Sequence, residues 1–176
     1  GISSVSGIGL FDFNANYKKD RLNWENSFRA GYGLLKEEGA ELVKSEDKLE
    51  LNSKAGIEFE NNEHILYSSI LNFNTQFAPG YKYPNTDDKI SGAFAPAYLT
   101  LATGIDYQPS ELFSLFFSPL SGKFTFVTDE QLSNEGAFGV EPGEKVRAEL
   151  GTTFKSTLET PVARNVNLST ALTLFS

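Results

Sequence analysis

Apolar and polar residues alternate with a period of two through most of the chain, which is the pattern of β-strands with one apolar face. Residues 22–35 place Leu22, Trp24, Phe28, Ala30, Tyr32 and Leu34 on one face, and Asn23, Glu25, Ser27, Arg29, Gly31 and Gly33 on the other. Residues 48–59 set Leu49, Leu51, Ser53, Ala55, Ile57 and Phe59 against Lys48, Glu50, Asn52, Lys54, Gly56 and Glu58. The pattern returns over 64–77 and 145–159, and in shorter form at 10–17, 96–107, 112–119 and 165–176. Eight antiparallel strands and an all-β fold follow. The only helix-permissive stretch, 36–47, is polar and interrupted by Gly39, so it reads as a loop. Residues 145–159 alternate without a break, well beyond the five or six residues of an ordinary soluble strand. They exceed the roughly 9–11 residues that cross a bilayer at the usual tilt.

The connections alternate in length. Those at 18–21, 60–63, 108–111 and 160–164 are short, and those at 36–47, 78–95 and 120–144 are long. Outer-membrane barrels combine short periplasmic turns with long extracellular loops. Aromatics flank three of the short turns on the apolar face: Tyr17 and Trp24, Phe59 and Tyr67, Tyr107 and Phe113. Amphipathic rings at that level match a periplasmic aromatic girdle. The expected fold is therefore an antiparallel up-and-down transmembrane β-barrel, one domain over residues 1–176. With the short turns periplasmic, the first strand would start and the eighth would end at the cell surface. Barrels of this class have an even strand number and periplasmic termini, so at least one further strand is expected beyond each end, ten or more in the intact barrel. Pro119 is expected to mark a bulge or the exit of its strand, with residues 124–127 continuing the wall.

Charge refines this picture. The chain carries 15 Lys+Arg and 23 Asp+Glu, a formal net charge of −8, which opposes nucleic-acid binding. Most of the excess falls in the long loops, while charged strand residues lie on the polar face. A charge on a lipid face costs about 2–4 kcal/mol near the midplane, and none of the alternating strands above puts one on its apolar face. The polar face would be the lumen, filled by an ion-pair network of Glu25, Arg29, Glu50, Lys54, Glu58, Arg147, Glu149 and Lys155, whose signs nearly balance. No apolar run approaches the roughly 20 residues of a membrane helix.

Little in the sequence points to catalysis. Cys is absent, which removes thiolate chemistry and disulfides. His64 is the only histidine and lies beside a short turn, so a polar turn role is expected and a multi-histidine metal site cannot form. Glu50 and Glu58 are about 26 Å apart along one strand and cannot act as a pair. Asp87 and Asp88 follow no recognised calcium-loop spacing and suit a turn. No enzymatic activity, metal or cofactor is expected. In the long loops, Tyr81 and Tyr83 between Pro79 and Pro84, and Phe138 and Val140 among glycines, are candidate contact residues for another envelope protein. The competing expectation is that these loops pack on each other.

Several strings are distinctive: FNANYKKDRLNWENSFRAGYGLLK, LNFNTQFAPGYKYP, FSLFFSPLSGKFTFV and GAFGVEPGEKVR. Together with SEDKLELNSKAGIE and FAPAYLTLATGIDYQP they resemble a bacterial outer-membrane β-barrel family known only as a domain of unknown function, along nearly the whole chain. The resemblance implies a barrel in the outer membrane, in chains longer at both ends, and supplies no catalytic residues. The expected function is that of an integral outer-membrane barrel without enzymatic activity, a structural or partner-binding component of an envelope complex. A narrow, porin-like channel is its transport variant. Its surroundings would be outer-membrane lipid and lipopolysaccharide, with other outer-membrane proteins as partners. The alternative is a soluble lipocalin-like ligand-binding barrel, which would turn its apolar residues inward.

Overall fold

The computed structural model describes residues 3–163 and 166–176. Eight long strands form one antiparallel sheet in the order β1 (Ser4–Lys19), β2 (Leu22–Glu37), β3 (Leu42–Phe59), β4 (Asn62–Thr75), β7 (Ala97–Ser110), β8 (Phe113–Phe126), β9 (Val146–Ala163) and β10 (Val166–Phe175). A separate hairpin, β5 (Gly80–Lys82) with β6 (Asn85–Ser91), sits in the connection between β4 and β7. The short helix α1 (Glu130–Asn134) and a 3-10 turn (Ala137–Gly139) occupy the connection between β8 and β9. Each sheet strand pairs with its sequence neighbour in the sheet. The result is a curled half-barrel, with β1 and β10 at its two edges.

The eight expected strands are the eight of the sheet, and their phase matches the alternation. Trp24 lies opposite both Tyr17 and Ala55, Phe28 opposite Phe13 and Leu51, Leu71 opposite Leu101, and Phe154 opposite Phe117 and Leu174. On the other face Ser27 meets Asn52, Asn52 meets Asn72, and Asn72 meets Thr100. This polar face is concave: side chains from β1 through β9 line one cleft on it. The apolar face is convex and open. Leu150 is 75% and Trp24 46% exposed there. Trp24 and Leu51 are both exposed on it, so the apolar residues do not converge on a dry interior.

Four differences from the sequence reading have physical causes. Residues 36–47 are mostly strand: β2 and β3 run on to a tight turn at 38–41, where Gly39 takes a left-handed φ of 79°. This part of the hairpin is mostly polar, and its apolar residues Leu42 and Val43 are adjacent rather than alternate, so no period of two shows there. The hairpin β5–β6, α1 and the 3-10 turn were not expected, because each is too short to set up a period. At the opposite end the turns shrink to Asp20–Arg21, Glu60–Asn61 and Glu111–Leu112. The fourth, expected at 160–164, differs too: β9 continues to Ala163, and residues 164–165 lie outside the described residues.

Pro119 sits in a β-bulge of β8, where the pairing with β9 shifts between Ser118 and Ser121. Proline has no N–H to give a ladder, and the bulge removes the need for one. Ser118 Oγ lies 2.7 Å from the carbonyls of Thr103 and Leu120, and Ser121 Oγ donates to Ser118. Opposite the bulge, a side chain at Gly104 would collide with the carbonyl of Phe117. Gly104→Ala should therefore cost about 1–3 kcal/mol, read as a lower urea midpoint in detergent. An unchanged midpoint would mean the bulge relaxes freely.

Candidate functional site

The concave face carries the chemistry. Its cleft holds about 440 Å³, and its lining includes Glu25, Lys54, Asn72, Asp106, Phe116 and Lys155. The floor is an apolar island of Ile70, Ala102 and Phe116, all buried. Asp106 has no exposed surface and forms an ion pair with Lys54, reaching from β7 to β3 across β4. Gln108 Nε2 also donates to Asp106 Oδ2 over 2.7 Å.

A polar strut bridges the curl. Lys155 Nζ on β9 lies 3.5 Å from Asn72 Oδ1 on β4. Asn72 Nδ2 donates to Asn52 Oδ1 at 2.6 Å, and Asn52 Nδ2 reaches Ser27 Oγ at 3.2 Å and Glu50 Oε1 at 3.3 Å. Side chains thus connect β9 to β2 without following the backbone ladder.

The eight residues expected to form a lumen network all lie on the concave side, but they pair locally rather than as one network. Arg29 pairs with Asp12 at 2.8 Å, not with Glu50, its register neighbour. Glu50 takes Lys48 at 2.6 Å, and Glu58 takes Lys18 at 3.3 Å and Asn23 at 2.8 Å. Arg147 and Glu149 pair along their own strand at 2.9 Å. Lys54 chooses Asp106 over its register neighbour Glu25. Among the described residues, neither Glu25 nor Lys155 has an oppositely charged group within 4.0 Å. Asp12, Lys18, Lys48 and Asp106 were missed as partners. Alternation puts them on the right face, but only the register and the curl say which strand each can reach.

The loops at the other end pack on each other. Ala95, Val127, Leu132 and Val140 form a buried cluster between the two long connections. Lys89 on β6 pairs with Asp129 at 2.6 Å, and Asp129 caps α1 by accepting from the Leu132 N–H. Asp47 accepts from the Phe77 and Ala78 N–H groups at 2.7 and 2.9 Å, tying the β2–β3 hairpin to the cap. Val140 is only 4% exposed, so it is a cap-core residue and not a contact residue: the glycines around it fold it inward. Tyr81 and Tyr83 stack edge-to-face with centroids 6.3 Å apart. Phe138 is partly exposed and held at a left-handed φ of 58°. His64 is exposed at the start of β4, and its N–H donates to Asn62 Oδ1 within the turn. Asp87 and Asp88 lie on β6, exposed.

The Lys89 ammonium holds the Asp129 carboxyl below its ordinary value, helped by the Leu132 and Gln131 N–H groups, and Asp129 in turn raises Lys89. A carboxyl lowered by folding contributes stability in full above its unfolded value near 4 and loses it as pH falls through the folded value. The raised lysine contributes below its unfolded value near 10.4 and loses that as pH rises through its folded value. The protection factors of the Leu132 and Ser133 amides should therefore hold between about pH 5 and 9 and fall below about pH 4. Protection unchanged at pH 3 would remove the pair from the account of the cap. Asp106→Ala should destabilise the sheet by about 3–5 kcal/mol, because it leaves Lys54 unpaired in the cleft. Chemical denaturation in detergent measures this, and a loss below about 1 kcal/mol would show that water solvates Lys54 freely.

Residues 1–81, from β1 to the middle of β5, match a family described as a protein of unknown function (DUF3078). No curated protein and no solved structure is detectably similar to the chain.

Proposed function

We propose that this protein is an integral outer-membrane β-barrel protein without enzymatic activity, a structural or partner-binding component of an envelope complex. The observation that carries this reading is the convex face. From the row Ala30, Leu49, Thr75, Ala97, Phe126, Val146 down to a stepped lower edge at Tyr17 on β1, Trp24 on β2 and Ile57, Tyr67 and Ile105 on β3, β4 and β7, it presents no charged side chain, and Lys19, opposite Leu22, lies on this face just below that edge. From Tyr67 to Thr75, β4 advances about 26 Å, which is about 20 Å of height at a barrel strand's tilt and approaches the apolar band of about 25 Å in such proteins.

Several polar groups on this face are hydrogen-bonded to one another, which lowers their cost in hydrocarbon. Trp24 Nε1 donates to Ser53 Oγ at 2.9 Å, and Ser53 Oγ donates to Asn26 Oδ1 at 2.8 Å. Ser69 and Thr103 hydroxyls lie 3.1 Å apart, and Thr103 reaches Tyr67 OH at 3.0 Å. A lipocalin-like barrel would need these apolar residues on the concave side. The convex face would meet lipid and lipopolysaccharide, and Tyr81, Tyr83 and Phe138 on the cap are the surface offered to other envelope proteins.

Trp24 is the only tryptophan and sits on that face near the short turns. In lipid vesicles its emission should be blue-shifted, with quenching strongest for brominated lipids labelled near the headgroup. Emission at the fully hydrated wavelength, with no quenching by any brominated lipid, would end the membrane reading. Planar-bilayer recording separates the variants: silence fits the structural role, and a steady single-channel current makes the protein a passive channel.

A further inference from the structure

Three groups in the concave cleft lack a complement. Lys155 on β9 has no carboxylate within 4.0 Å among the described residues, and its one hydrogen bond, to Asn72, is long at 3.5 Å. Glu25, on β2 at the opposite rim, has no cation within 4.0 Å among them, because its ladder neighbour Lys54 is turned to Asp106. Asp106 is fully buried, and its Oδ1 accepts no hydrogen bond while Oδ2 holds Lys54 and Gln108. All three line the same cleft of about 440 Å³.

Their arrangement is polar in a definite direction. Lys155, Phe116 and Asp106 are in register across β9, β8 and β7. The Cα atoms of Lys155 and Asp106 are therefore about 10 Å apart, with the buried Phe116 ring between them as floor. Glu25 and Asp106 balance Lys54 and Lys155, so the cleft has no net charge that favours a lone cation or a lone anion. Lys54 and Asp106 compensate each other, which leaves Lys155, partly buried, and Glu25, exposed at the rim, without partners, and unpaired charges are stabilised by partners of opposite sign.

We propose that the cleft binds a small zwitterion. The ligand's ammonium sits against Glu25 at the rim, and its carboxylate or phosphate sits against Lys155. The cleft volume lies within the roughly 300–1,000 Å³ of small-molecule sites, enough for a dipeptide or a phosphoethanolamine unit. This inference rests on the concave wall alone and does not depend on what the convex face contacts.

Calorimetry on the full chain folded in detergent tests it, with four probes: glycylglycine, phosphoethanolamine, N-acetylglycine (anion only) and glycinamide (cation only). At least one zwitterion should bind at least tenfold more tightly than both single-charge probes. Glycylglycine ahead assigns the site to peptides and amino acids, and phosphoethanolamine ahead assigns it to lipid headgroups. Lys155→Gln and Glu25→Gln should each weaken binding at least tenfold, while Lys155→Arg retains it. N-acetylglycine binding as tightly as glycylglycine, no binding of either zwitterion to protein with the expected β-sheet circular dichroism, or full binding by Lys155→Gln would each overturn the proposal.

Discussion

The alternation of side chains across an unbroken antiparallel ladder is the constraint on which the rest depends. Each strand puts successive residues on opposite faces, so a one-residue slip would carry its charged set to the apolar side. Such a slip of β3 against β2 would move Glu50 and Lys54 onto the face held by Leu49 and Leu51. The bulges between Gly33 and Leu34 and between Ser118 and Ser121 absorb extra residues without such an exchange within the apolar band. Long strands with two-residue turns at one end follow from the same rule: apart from the bulges, the six interior strands match their backbone donors and acceptors with neighbours on both sides, and irregular chain is confined to the opposite end.

The concave face uses its charge economically. Exposed pairs such as Arg29 with Asp12 contribute little to stability. The fully buried Asp106 is different, because removing either it or Lys54 strands the other. The amide strut from Lys155 through Asn72 and Asn52 adds a second link across the curl, independent of the ladder. These two features hold a polar cleft open in shape while filling much of it with side chains.

At the loop end a second, small core forms. Ala95, Val127, Leu132 and Val140 bury one another, and the Lys89–Asp129 pair and the Asp47 contacts fasten this cap to the sheet. Tyr81, Tyr83 and Phe138 are thereby carried on an ordered platform. Phe138 keeps a left-handed backbone because its neighbours on both sides, Ala137 against the cap core and Gly139 under Arg147, are already placed.

The sequence by itself determined the strands, their faces and the separation of charge from the apolar side, because these depend only on a two-residue period that local geometry enforces. It also placed a bulge or strand exit at Pro119, and two of the three long connections, those at 78–95 and 120–144. It left undetermined which charge meets which: Glu25 and Lys54 are ladder neighbours, yet Lys54 reaches Asp106 two strands away. It misjudged Val140, whose burial depends on a second loop 45 residues earlier at Ala95. It took 36–47 for a loop, because a mostly polar hairpin whose apolar residues, Leu42 and Val43, are adjacent has no period to read. The curl of the sheet and the docking of distant loops decided these points. Both arise from contacts between residues far apart in the chain, on which a local pattern carries no information.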